Sequence, residues 1–274
     1  MRCRGHRRAS PVPRPAGAAR RRAPGRPRVR PVGPLTDAER YRFDLHGYLI
    51  RRGALTAREV AALNDAVDAL RLPPPSADIQ SQRYSGHLSH AAAFRALIDH
   101  PSVIDVVLEL CGSFARLDHT YGIVMAPGTS GLGLHGGATP FDPAQYYVVR
   151  NGEIHCGLIA VQWALVDHPR GAGGFCCVPG SHKASFVRPP GVEELVEEIP
   201  LGAGDLVLFT EALTHATVPW RGPGQRRTLL YKYSPGSSSW AEDQRWPPDL
   251  LALLTERQRL LLQPPTVAYH RPIS

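Results

Sequence analysis

Between residues 116 and 233 the chain is cut into short apolar or alternating runs by Gly, Pro and Asn-Gly. The runs fall at 117–125, 146–149, 154–165, 174–178, 205–210 and 228–233. Short strands with frequent turn punctuation close into sandwiches, barrels or jelly rolls, whereas βαβ units need a helical crossover after each strand. Asn151-Gly152 sits between two of the runs and is a strong type I′ hairpin signal. The 43 % hydrophobic content is enough for a sizeable core.

Helical signals flank this region. Thr36 with Glu39 and Thr56 with Glu59 each match a capping box, placing order from Thr36 onward. After the second box, Val60, Leu63, Val67 and Leu70 recur at helical spacing, which predicts a helix over 57–70. Residues 47–50 read as a short strand. Pro73-Pro74-Pro75 ends that section, and 101–110 reads as a helix stopped by Gly112. An apolar-rich stretch at 250–262 predicts a final helix.

The formal net charge of +8 first suggests a polyanion partner. Its distribution argues otherwise. Residues 1–34 hold eleven arginines, seven prolines and no acid. Taking those eleven from 32 leaves 21 basic against 24 acidic residues, or −3, for residues 35–274. Residues 1–34 have too few apolar groups to offset the entropy of ordering and are expected to be a disordered tail. Such a tail could be a nucleic-acid or phosphate-binding arm, or an extension without a role. Nucleic acid is therefore not the expected partner of the domain at 35–274.

No stretch approaches eighteen consecutive apolar residues, so no transmembrane helix is expected. The five cysteines form no CxxC pair, which argues against a disulfide framework or a structural zinc site. They suit a reducing cytoplasm, and the N-terminus lacks the apolar run of a secretory signal. Cys176 and Cys177 are expected to be free thiols on opposite faces of a strand. The oligomeric state is not legible.

Among twelve histidines, two have context. His135 lies in GLGLHGG (131–137), and His215 follows GDLVLF (204–209). Arg226 comes eleven residues after His215 and opens RRTLLYKY (226–233). Between the histidines lie QWALVD (162–167) and GGFCCVPGSH (173–182). As an ordered set these segments resemble the phytanoyl-CoA dioxygenase family of iron(II)/2-oxoglutarate oxygenases, over about residues 36 to 235. Phe43 followed by Gly47-Tyr48 is similar to that family's opening strand.

The resemblance implies a mainly β fold with flanking helices, a double-stranded β-helix (cupin-like jelly roll). It also implies iron(II) held by two histidines and a carboxylate, with three positions left for 2-oxoglutarate and dioxygen. By the family pattern His135 is the first metal ligand, His215 the last, and Arg226 the anchor for the far carboxylate of 2-oxoglutarate. Thr217 and Thr228 could each add a hydroxyl donor, since alternate strand residues share a face. Arg227 would point the other way. The implied reaction is oxidative decarboxylation of 2-oxoglutarate coupled to attack on an unactivated C–H bond of a small-molecule substrate, most simply hydroxylation.

The sequence departs from the family at one point. The common His-x-Asp motif reads His135-Gly136-Gly137, with Gly137 where the carboxylate belongs. Three readings stand open. Another acid reaches the metal, with Asp142 nearest and Glu153 or Glu211 more remote. Alternatively the position is vacant and takes chloride or bromide, which resembles the iron/2-oxoglutarate halogenases. In the third, the chain is a non-catalytic binding module of the same fold.

Other residues are read more plainly. His182 is expected to be structural or to support the site, and Asp167 and Asp205 to form turns. One of Gln162 and Trp163 should face the cofactor. Tyr146, Tyr147 and Arg150 could line a substrate mouth or be ordinary strand surface. His155 and His168 are expected at the surface.

Overall fold

In the computed structural model, residues 32–73, 81–137, 139–242, 246–267 and 271–273 are described. The expected tail therefore lies outside the described residues, except for Val32, Gly33 and Pro34. Both capping boxes form. Thr36 caps α1 (Asp37–His46) with Glu39 answering, and Gly47 ends the helix in the left-handed conformation at φ 78°. The chain then runs into β1 (Tyr48–Arg51), and Thr56 with Glu59 opens α2 (Ala57–Ala69). Next come β2 (Ser81–Tyr84), a short α3 (Ala92–Arg95) and α4 (Ile104–Cys111).

The β region follows as β3 (Arg116–Met125), β4 (Leu132–His135), β5 (Tyr147–Arg150) and β6 (Glu153–Cys156). It continues as β7 (Ile159–Ala164), β8 (Gly174–Cys177), β9 (Glu197–Glu198), β10 (Leu206–Thr210), β11 (His215–Val218) and β12 (Arg226–Ser234). The run expected at 154–165 is broken into two strands at Gly157, where an added Cβ would meet the Ala144 carbonyl oxygen. The single helix expected at 250–262 is two, α5 (Pro248–Ala252) and α6 (Glu256–Leu261). Thr255 separates them by capping the second with Gln258 in a third capping box. Asn151 and Gly152 both take positive φ, and β5 and β6 close the expected hairpin around them.

The remaining strands form the two sheets of a double-stranded β-helix. One has six strands in the order β1-β10-β7-β12-β3-β2, and the other four in the order β4-β11-β8-β9. Strand alternation divides the six-stranded sheet's residues between two cores. Val161, Trp163, Leu206, Leu208, Leu229, Tyr231 and Tyr233 join the helical residues Leu63, Phe94 and Ile104 in one cluster. The opposite face carries Ala160, Ala164, Val207 and Phe209, which pack with Phe175 and Cys177 of β8 between the sheets. That inter-sheet space also receives the even-numbered residues of β12, among them Arg226 and Thr228. Among the described residues no helix is long and apolar enough to cross a membrane.

Candidate active site

The four-stranded sheet brings the two singled-out histidines together across eighty residues of chain. His135 at the end of β4 and His215 at the start of β11 are direct cross-strand partners, with ring centroids 4.2 Å apart. His135 Nδ1 lies 2.9 Å from the Gly133 carbonyl and His215 Nδ1 lies 2.8 Å from the Leu213 carbonyl. A carbonyl only accepts, so each Nδ1 carries the proton, and a neutral ring then presents its Nε2 lone pair. This is the tautomer a metal-ligating histidine needs. Burial pushes His215 down to about 4, so it is neutral at physiological pH.

The Gly136-Gly137 pair shapes the floor of this site. A Cβ on Gly136 would lie 2.8 Å from the carbonyls of Glu211 and Leu213, so the β10–β11 turn packs directly on the glycine. Gly137 sits at φ +111°, a conformation that strains any L side chain. The glycine at the expected carboxylate position therefore belongs to a backbone built for glycine.

The acids named from the sequence are placed very differently. Asp142 Oδ1 accepts from Ala144 N at 2.8 Å within its own turn. Glu153 is exposed on the β5–β6 hairpin, beside His155. Glu211 is buried, with Oε2 4.0 Å from His215 Nε2 and Oε1 2.8 Å from Lys232 Nζ. Burial alone would raise the Glu211 carboxyl, but the Lys232 ammonium beside it outweighs burial and holds it below its ordinary value. Among the described residues no three His, Cys, Asp or Glu side chains already stand as a metal-holding group. The structure thus joins His135 and His215, places Glu211 beside them, and does not join Asp142 to them.

Arg226 lies fully buried on the inner face of β12, and burial lowers its pKa to about 10. No carboxylate of the described residues pairs with it. Its Nη1 meets only the Met125 sulfur at 3.1 Å, and its Nε has no partner. The Thr228 hydroxyl and the Gln162 amide nitrogen are also buried without partners. A buried cation with an unpartnered Nε, and two further unpartnered polar groups in the same inter-sheet space, fit a missing anion, as a dicarboxylate would supply. Gln162, not Trp163, faces this interior: Trp163 lies on the helix side, against His100 with centroids 5.1 Å apart. Thr217 is half-buried two residues beyond His215, opposite Phe175 and Leu132. Arg227 points away, to Asp68 at 2.7 Å.

Several secondary readings are settled by contacts. His182 is buried between Tyr147 and the end of α1, with Nε2 3.1 Å from the Asp44 carbonyl. Asp205 accepts from the backbone of Gly53 and Gly202, and Asp167 from Ala203, as turn-forming acids do. Tyr147 donates to Asp44 at 2.5 Å, tying β5 to α1. His155 is at the surface, but His168 is not. His168 is 1 % exposed, edge-on to Trp220, and pushed down to about 2 by burial and the nearby Arg226. Its isolated backbone bridge to Leu201 buries it, a contact no local pattern announces. Lys232 was also missed. Its signal was rarity, since it is one of only two lysines among 32 basic residues. The four described cysteines are buried and free.

Beside His135 lies a hollow of about 550 Å³. Its walls include Gly137, Pro140, Phe186, Val187 and Leu195, and Arg188 is its one Lys, Arg, Asp or Glu among the described residues.

Known proteins share this fold. The phytanoyl-CoA dioxygenase (PhyH) family model matches residues 43–228. No curated protein sequence matches. Among solved structures, HygX from Streptomyces hygroscopicus with nickel and 2-oxoglutarate bound superposes with a TM-score of 0.69 at 24 % identity, over 79 % of this chain and 94 % of that one. The same protein with hygromycin B also bound gives 0.67. The non-heme α-ketoglutarate-dependent carbocyclase SnoK from nogalamycin biosynthesis gives 0.60 at 18 % identity, over 88 % and 98 % of the two chains. The epimerase SnoN from the same biosynthesis gives 0.58 at 22 %, over 73 % and 83 %.

Proposed function

This chain belongs to the phytanoyl-CoA dioxygenase family of iron(II)/2-oxoglutarate-dependent oxygenases, and from that premise we propose how its own residues serve the reaction. His135 and His215 hold iron through Nε2. Arg226 takes the far carboxylate of 2-oxoglutarate, with the Thr228 hydroxyl and the Gln162 amide as further hydrogen-bond partners. Iron with 2-oxoglutarate and dioxygen would supply the oxidation of a C–H bond, coupled to release of succinate and carbon dioxide. The protein's part is to fix the two histidine tautomers, neutralise the dicarboxylate and keep water from the reacting centre.

One observation carries this reading: a fully buried guanidinium with no acid to pair with, on the face that looks toward the histidines. An unpaired buried charge costs several kcal/mol, and a fold keeps one when a ligand is to answer it. The hollow over His135 indicates a small substrate with a mainly apolar surface, because its walls are mostly Gly, Pro, aliphatic and Phe residues. Hydroxylation is the simplest outcome. Buried free thiols, with no helix fit to cross a membrane among the described residues, favour a reducing compartment such as the cytoplasm.

The test is succinate formation from 2-oxoglutarate with added iron(II), in the wild type and in Arg226→Ala. Turnover in the wild type, lost in the variant at ordinary 2-oxoglutarate concentration, is expected. No succinate under any supplement would overturn the oxygenase reading in favour of a binding module.

A further inference from the structure

We propose that Glu211 is the carboxylate that Gly137 cannot supply, completing a metal site of His135, Glu211 and His215 with Lys232 holding the other carboxylate oxygen. This rests on the oxygenase reading above and sharpens its metal centre.

The argument starts from lone pairs. With both Nδ1 atoms donating to backbone carbonyls, the Nε2 atom of each ring is left to face the site as a lone-pair donor to a metal. Glu211 Oε2 is an acceptor with lone pairs of its own, and it lies 4.0 Å from His215 Nε2. His215 and Glu211 are buried while His135 borders the opening, and two buried acceptors do not face each other without a cation or a proton to share. The salt bridge from Lys232 reaches Oε1, leaving Oε2 for the histidine side. Metal bonds near 2 Å set neighbouring ligand atoms about 3 Å apart, so Oε2 has only about 1 Å to travel.

The backbone supports the same assignment. Gly136 packs on the Glu211 carbonyl, and Gly137 N donates to it at 3.3 Å. The His-Gly-Gly segment is thus docked on the turn that carries Glu211. A side chain at Gly137 would need a strained φ, so the acid has moved from the β4 end to the β10–β11 turn. The same carboxylate opposes a halide. Chloride on the iron would sit beside a buried anion, and like charges that close in a poorly screened interior repel strongly.

The test is Co(II) titration of the full chain, followed by its visible spectrum, with and without chloride. Removing Glu211 alone strands Lys232, so the informative pair is Lys232→Met against the double variant Glu211→Ala/Lys232→Met. Melting without metal checks that both fold. The double variant is expected to bind Co(II) at least about tenfold more weakly than Lys232→Met, while Asp142→Ala binds as the wild type does. The wild-type spectrum should not respond to chloride. Equal affinity in the two Lys232→Met backgrounds would overturn the assignment, as would a chloride-dependent wild-type spectrum. If either occurs while His135→Ala abolishes binding, the oxygenase reading stands without Glu211. A wild type that takes up no Co(II) overturns both. Should the double variant not fold, Glu211→Gln decides on the same criterion, by its Co(II) affinity against the wild type.

Discussion

Gly174 leaves Arg226 its room: a Cβ at residue 174 would lie 3.2 Å from the Arg226 Nε. With φ at +107°, the glycine lets β8 pass over the guanidinium without a side chain. The fold thus encloses a cation completely and gives it no acid, which makes Arg226 a burden on the empty protein. Replacing a buried charge by a hydrophobe of similar volume is often neutral or stabilising by 1–4 kcal/mol. Arg226→Met is therefore expected to melt no lower than the wild type without ligand, and to lose its thermal response to 2-oxoglutarate. The wild type should gain about 2.7 kcal/mol at a hundred times the dissociation constant. Differential scanning calorimetry with and without 2-oxoglutarate reads both. A large loss of stability in Arg226→Met would mean that the cation is already paired.

Gln162 and Trp163 are neighbours whose side chains enter different cores, and their substitutions should separate accordingly. Trp163→Ala empties a fully buried site against His100 and should cost about 3–5 kcal/mol of stability. Gln162→Leu removes an unpartnered amide from the inter-sheet space. It should leave stability within about 1 kcal/mol while raising the KM for 2-oxoglutarate. Urea unfolding and succinate kinetics on the two variants check the division. A Gln162→Leu enzyme with unchanged KM would remove Gln162 from the cofactor's surroundings.

The division between these two residues also shows where sequence reading ran out. Alternation established that Gln162 and Trp163 face opposite ways, but the side on which the helices pack is a tertiary fact. The long strands β3, β7, β10 and β12 were legible because each presents an apolar run. β4 and β11 were not, since four residues with glycine, histidine and threonine carry little apolar signal. These are the strands that bear the two histidines. Their pairing is set by register within the four-stranded sheet, so the motif singled out the two histidines and geometry placed their neighbours. Glu211 shows the same limit. Distance along the chain from His135 made Asp142 the nearer candidate, whereas the β10–β11 turn folds Glu211 back onto Gly136.

His87 predicts the acid limb of stability. It is wholly buried among Tyr84, Phe94 and Tyr231, and neither ring nitrogen has a partner. Burial depresses it from 6.5 to about 4. A depressed pKa means that the unfolded chain binds the proton first. The stability it contributes is full above about pH 6.5 and is lost as pH falls toward 4. A shift of that size corresponds to roughly 3 kcal/mol at most. His87→Phe should remove this dependence and also relieve two buried unsatisfied nitrogens. Its melting temperature should exceed that of the wild type at pH 5 by more than at pH 7.5. Parallel melting curves across that range would show that His87 is not the titrating group.

The boundary of the basic tail can be tested at single-residue resolution. Arg51 is 3 % exposed, and its guanidinium donates to the carbonyls of Gly33 at 3.1 Å, Pro34 at 3.3 Å and Ser102 at 2.8 Å. Deleting residues 1–31 keeps all three acceptors. Deleting 1–34 takes two of them from a buried charge, at a cost of about 1–3 kcal/mol for each group left unsatisfied. The contacts of Arg51 therefore reach back to Gly33 and Pro34. The shorter deletion should melt as the full chain does and turn over 2-oxoglutarate at the same rate. The longer one should melt several degrees lower, yet retain its turnover while folded, because Arg51 lies on β1 and not among the site residues. The net charge of the shorter variant falls by the eleven arginines it loses, from +8 to −3. If that change alone lowered turnover, the tail would have a part in the reaction, and a polyanionic partner would again have to be sought.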